Sequence, residues 1–162
     1  MKEIPMIENK IAFVDLKAQY KTIAEEIGQA IRNVISDTAF IRGKYVQEFE
    51  KNFVAFCGAK NCIAVGNGTD AIFIALRALG IGSGHEVIVP ANTFVATSEA
   101  VSLSGAKVVF VDCDSKTYNI DEDLIESKIT SRTKAMIPVH LYGQPANMPV
   151  ICDIAGRHGL KI

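Results

Sequence analysis

From Cys62 onward, short runs of apolar and β-branched residues alternate with longer runs of helical periodicity. The strand-like runs are Cys62–Val65, Val87–Val89, Val108–Val111 and Ala135–Val139. The helical runs lie near Thr69–Leu79, Thr93–Leu103, Asp121–Ile129 and Asn147–Arg157. Continuously apolar strands separated by helices predict an α/β fold, a mostly parallel sheet with helices on both faces. Right-handed crossovers then put every strand's C-terminal end, and the loop after it, on one edge. Pro90, Asp112 and His140 each follow a strand, so they share that edge with Gly66–Asp70.

The chain before Cys62 reads differently. Lys17–Ser36 spaces Tyr20, Ile23, Ile27, Ile31, Val34 and Ile35 three or four residues apart, which predicts an amphipathic helix. A second helix carries Val46, Phe49, Phe53 and Phe56 on one face and ends at Gly58, where a C-terminal cap belongs. Phe40–Lys44 is an irregular loop between them. The expected division is a helical segment over 1–60 and an α/β cofactor-binding segment over 61–162. Leu160-Lys161-Ile162 reads as the opening of a further strand, shorter than the ordinary 5–6 residues or so. We therefore expect the chain to be the N-terminal part of a larger protein, with a frayed edge as the alternative.

The chemistry-bearing feature is Val65-Gly66-Asn67-Gly68-Thr69-Asp70-Ala71, a glycine-rich turn opening a helix. The first N–H groups of a helix lack intrahelical partners and, with the helix dipole, favour an anion. Gly66-x-Gly68-x-x-Ala71 also satisfies the loose dinucleotide pattern. That reading wants an acid at the end of the second strand, where Val89-Pro90-Ala91-Asn92 offers none. No Gly-Lys-Ser/Thr follows, so an ATP-type loop fails too. A single phosphate held by the turn and Thr69 fits better. The alternative is a helix capped by Asn67, Thr69 or Asp70 with no ligand.

Composition narrows the partners. With 17 Lys and Arg against 18 Asp and Glu, the net charge of −1 provides no field to recruit nucleic acid or an anionic membrane. No apolar run approaches the ~20 residues of a membrane span. Met1–Lys10 carries Lys2, Glu3, Glu8 and Lys10 and lacks a signal-peptide core. Cys57, Cys62, Cys113 and Cys152 form no C-x-x-C pair, which points to reduced thiols in a cytoplasmic protein without a metal site.

Read in order, the motifs carry a resemblance. They are Phe13-Val14-Asp15-Leu16-Lys17-Ala18-Gln19-Tyr20, Phe40-Ile41-Arg42-Gly43, Phe49-Glu50 and Gly66 to Ala71. They continue with Glu86-Val87-Ile88-Val89-Pro90, Thr93-Phe94-Val95-Ala96-Thr97, Tyr118-Asn119-Ile120-Asp121 and Pro138-Val139-His140-Leu141-Tyr142-Gly143-Gln144. From Ile11 to Ile162 the chain resembles the DegT/DnrJ/StrS family of pyridoxal-phosphate sugar aminotransferases. The resemblance implies the large domain of a fold type I aminotransferase, here incomplete. It implies pyridoxal 5'-phosphate as cofactor, a nucleotide-linked keto-sugar as substrate, glutamate as amino donor and a homodimer. It assigns Gly68, Thr69 and Asp70 to the cofactor phosphate and Phe94 to stacking on the cofactor ring. Tyr142 and Gln144 are candidates for the sugar side. His140, a lone histidine, reads first as structural.

Two departures from the family pattern stand out. His85 occupies a position where the family usually has Asp, in a turn away from the functional edge, so the change should be structural. The catalytic lysine and the acid that pairs with the pyridine nitrogen are expected beyond Ile162. Lys17, Lys21, Lys51, Lys60 and Lys128 read as helix-face or helix-end charges, and Lys107, Lys134 and Lys161 sit at strand starts. Lys44 alone is open. The chain by itself is therefore expected to lack transaminase activity. A non-catalytic cofactor-binding or regulatory fragment is the alternative.

Overall fold

The computed structural model describes residues 13–162. The reading of Met1–Lys10 and the first residues of the family likeness lie outside them. The chain divides into two compact units after Ala64.

In the first unit, α1 spans Leu16–Ser36, opened by Asp15, whose Oδ1 accepts from the Ala18 N–H at 2.9 Å. Helix α2 spans Lys44–Cys57 and stops at Gly58 in the left-handed conformation, φ 63°, as the glycine predicts. Lys44, the lysine with no clear place in the sequence, is the first residue of α2. Its Nζ pairs with Asp37 at 2.7 Å, and the Tyr45 hydroxyl donates to the same carboxylate at 2.6 Å. Hydrogen bonds from Lys44 and Tyr45 hold the Asp37 carboxyl below the usual range.

Among the described residues, the predicted strand Cys62–Val65 makes no ladder. The Ala64 N–H donates instead to Glu50 Oε1 at 2.8 Å. Four apolar residues favour extended backbone but form a strand only with a ladder partner.

In the second unit the sheet order is β2-β1-β3, all parallel, with β1 Glu86–Pro90, β2 Lys107–Val111 and β3 Thr133–Met136. Lys161 adds a parallel bridge to Ala135, in line with the strand opening read at Leu160. Strand β3 starts and ends earlier than expected. The Ile137 N–H still donates to Ile88 O at 2.9 Å, but Pro138 has no N–H with which to continue the ladder.

Alternation along β1 sends its side chains to two cores. Ile88 joins Val111, Met136, Ile125 and Ile151 on one face, while Val87 and Val89 join Leu76, Ile81 and Val101 on the other. Helices α3 (Gly68–Ala78) and α4 (Val95–Leu103) cover the second face. Helices α5 (Glu122–Ile125) and α6 (Met148–His158) cover the first. This is the expected three-layer α/β arrangement. Helix α5 is one turn followed by a 3-10 turn, Glu126–Lys128, rather than a continuous helix to Ile129.

A charge cluster closes the N-terminal edge of the sheet. The Glu86 side chain is 3% exposed and accepts from Thr130 Oγ1 at 2.6 Å and Arg132 Nη2 at 2.7 Å, with Lys107 Nζ at 3.6 Å. The Thr130 hydroxyl and then the Arg132 guanidinium hold its carboxyl below the ordinary range. A depressed folded-state pKa contributes stability above the unfolded value, about 4.3, and loses it as pH falls through the folded one. Glu126, held at about 2 by Arg157 and His158, adds to the same acid limb. We expect the urea midpoint to drop as pH falls below about 4.3. Glu86→Gln should lower the midpoint at neutral pH and lose less of it on acidification. Parallel pH curves for the two proteins would contradict this.

Candidate functional site

Strand order reverses at β1. The connection through α4 leads from β1 to β2 on one side, and the next leads back across β1 to β3 on the other. In open parallel sheets ligands sit outside the carboxyl ends of the strands at such a reversal. Three segments converge on that edge.

The first is the start of α3. The helix ends a few residues before Glu86 at the opposite edge, so its N-terminus points back toward the strand carboxyl ends. Ala71 of its first turn and His140 line one groove. Of the three capping candidates, Asn67 takes the position. Its Oδ1 accepts from the Asp70 N–H at 2.9 Å and its Nδ2 donates to Asp70 Oδ2 at 3.0 Å. Asp70 therefore serves the cap, and its carboxylate folds back over Gly66, where a Cβ would stand 2.7 Å from Oδ2. Asn67 occupies the third N–H of the helix and leaves those of Gly68 and Thr69 at the two positions with no intrahelical acceptor. A Cβ on Gly68 would meet nothing within 4 Å. The fold itself leaves that space open, which suits a ligand approaching the backbone.

The second segment follows β1. Phe94 is the N-terminal cap residue of α4, in extended backbone, so α4 begins two residues later than Thr93. Phe94 is 78% exposed, four residues after a fully buried strand. The Thr93 and Thr97 hydroxyls meet at 3.0 Å beside it, and Asn92 Nδ2 donates to the Tyr118 carbonyl at 2.9 Å.

The third follows β3. His140 Nδ1 accepts from the Ala146 N–H at 3.0 Å, so the neutral ring carries its proton on Nε2. Tyr142 stands in left-handed backbone, φ 54°, and is 88% exposed, followed by Gly143 at φ 85°. Asn119 ties this loop down and is a residue whose role sequence reasoning missed. It lay within a quoted motif, but its partners are 22 to 26 residues away. His85, by contrast, closes the turn at the opposite edge, its Nδ1 accepting from the Gly82 N–H at 3.3 Å.

Lys107 and Lys134 stand at the sheet's N-terminal end, pairing with Glu86 and donating to Ser131 O. Among the described residues, no group of His, Cys, Asp and Glu could hold a metal ion, and no helix is long and apolar enough to cross a membrane.

The start of α3, the Thr69 hydroxyl and the exposed Phe94 thus lie at the carboxyl edge of an α/β sheet, where strand order reverses. The chain belongs to the DegT/DnrJ/EryC1/StrS aminotransferase family, whose profile matches residues 21–162. It is 49% identical over 152 residues to the UDP-2-acetamido-2-deoxy-3-oxo-D-glucuronate aminotransferase of Pseudomonas aeruginosa, covering 94% of this chain and 42% of that one. It is 47% identical to the pleiotropic regulatory protein of Geobacillus stearothermophilus, covering 94% and 41%. The crystal structure of NtdA from Bacillus subtilis with bound cofactor PMP superposes with a TM-score of 0.90 at 40% identity, covering 99% of this chain and 36% of that one. The chain thus spans about two fifths of the length of the curated relatives it matches.

Proposed function

We propose that this chain supplies the cofactor-holding part of a pyridoxal-phosphate-dependent aminotransferase that aminates nucleotide-linked keto-sugars, with glutamate as donor. One observation carries the reading. Thr69, on a helix start with two free N–H groups, and Phe94, an exposed ring, lie at the same edge of the sheet where strand order reverses. The likeness to the Pseudomonas aeruginosa enzyme supports the substrate class.

In this reading the Gly68 and Thr69 N–H groups and the Thr69 hydroxyl hold the cofactor phosphate, with the helix dipole aligned to the charge. Asp70 and Asn67 fix the turn rather than touch the phosphate. The Phe94 face packs on the cofactor ring and keeps water from it. His140 offers Nε2–H as a donor on the same edge. When bound, the cofactor supplies the electron sink that amino-group transfer needs.

A homodimer is proposed on the apolar faces of α1 and α2. Tyr20, Ile31, Ile35 and Phe49 are each more than half exposed there. A cytoplasmic setting is proposed on the four unpaired cysteines. Polysaccharide or other nucleotide-sugar biosynthesis is the process such a reaction would serve.

The test is a ligand competition with pyridoxamine phosphate, NADH and inorganic phosphate. Binding of pyridoxamine phosphate without NADH binding is expected. NADH binding, or no binding of pyridoxamine phosphate, would contradict the proposal. The likeness to the Geobacillus stearothermophilus regulatory protein favours a second reading, a cofactor-binding regulator without turnover. The coding sequence after Ile162 discriminates: an acid and then a lysine on later strands mark the enzyme.

A further inference from the structure

We infer that Asn119 is a positioning residue that holds the His140–Ala146 loop so that Tyr142 faces the nucleotide-sugar substrate. The inference rests on the proposed reading of this edge as the active site. Asn119 is 5% exposed, and its side-chain amide is spent on this loop alone. Its Oδ1 accepts from the Leu141 N–H at 3.1 Å, and its Nδ2 donates to the Gln144 and Pro145 carbonyls at 3.2 Å each. The His140–Ala146 bond closes the same loop from within.

The loop held this way keeps a strained residue. A non-glycine residue rarely adopts positive φ, and a strained conformation persists only when its surroundings over-determine it. Tyr142 does so as a residue that is 88% exposed. The neighbouring Tyr118 repeats the pattern. Its φ is 60°, its carbonyl is held by Asn92 Nδ2, and the residue is 54% exposed. Two amide side chains thus brace two exposed tyrosines on the loops flanking Phe94. Flat, hydroxyl-bearing rings of this kind suit the mixed polar and apolar faces of a sugar or nucleobase.

The test compares the wild-type chain with Asn119→Ala and Tyr142→Ala by amide hydrogen exchange and NMR. The probes are UDP-N-acetylglucosamine and, separately, pyridoxamine phosphate. In Asn119→Ala, exchange at Leu141 and Ala146 should quicken at least about tenfold, the scale of losing hydrogen bonds of ordinary strength, while Val87–Val89 stay protected. UDP-N-acetylglucosamine should shift the Tyr142 ring signals in the wild type. The sugar nucleotide should bind Asn119→Ala and Tyr142→Ala more weakly, and Tyr142→Ala should keep wild-type exchange. Unchanged exchange in Asn119→Ala would overturn the inference. So would a wild-type Tyr142 that ignores the sugar nucleotide, or equal affinity in all three proteins. Shifts at Gly68 and Thr69 with pyridoxamine phosphate report the cofactor reading independently. Their absence would sink that reading, whatever the loop does.

Discussion

Alanine in place of Ile88 should destabilise the second unit by about 2–5 kcal/mol, the range for deleting a buried aliphatic side chain that leaves a cavity. Ile88 is fully buried in the central strand, against Met136 and Val111 from both neighbouring strands and Ile125 and Ile151 from the helices above. A hole there cannot collapse easily, because the strands on either side fix the backbone spacing. Ile74, 47% exposed on α3, is the control, and Ile74→Ala should cost far less. Urea unfolding of the two variants decides it. Equal losses would mean that β1 is not the centre of this core.

That prediction rests on what was legible in the sequence. Val87-Ile88-Val89 reads as a strand buried on both faces because three consecutive apolar residues leave no side for water. Gly58 reads as a cap because a left-handed residue without a Cβ costs little there. The turn at Gly66–Asp70 was legible as a helix start, but its cap was not. Asn67, Thr69 and Asp70 all have oxygens within reach of free N–H groups, and only the extended backbone of Asn67 selects it. Contacts distant in sequence were out of reach. The Glu86 cluster joins residues 44 and 46 positions apart, and the Asn119 clamp spans 22 to 26. Periodicity reports which face is apolar, not which polar side chain meets a loop two elements later. Cys62–Val65 misled for the same reason, since a ladder needs a partner that composition does not reveal.

Removing the Thr69 hydroxyl should weaken pyridoxamine phosphate binding by roughly 10- to 150-fold. That is the equivalent of about 1.5–3 kcal/mol for a hydrogen bond to a charged group. Thr69 occupies the second position of α3 and is partly exposed, next to the N–H groups left free by the Asn67 cap. Thr69→Ser keeps the hydroxyl and should retain most of the affinity. The fold should hardly respond to either change, because the cap is made by Asn67 and Asp70. Isothermal titration of the three proteins measures the difference. Equal affinity in Thr69→Ala would remove Thr69 from the phosphate site.

In the proposed reading, the helix start and the ring after β1 form one cofactor site. Titrating the labelled chain with pyridoxamine phosphate and following backbone amides and aromatic rings by NMR tests it most directly. Saturable shifts are expected at the Gly68 and Thr69 amides and at the Phe94 ring, all with one dissociation constant. Shifts confined to other residues, or different constants for the turn and the ring, would contradict it.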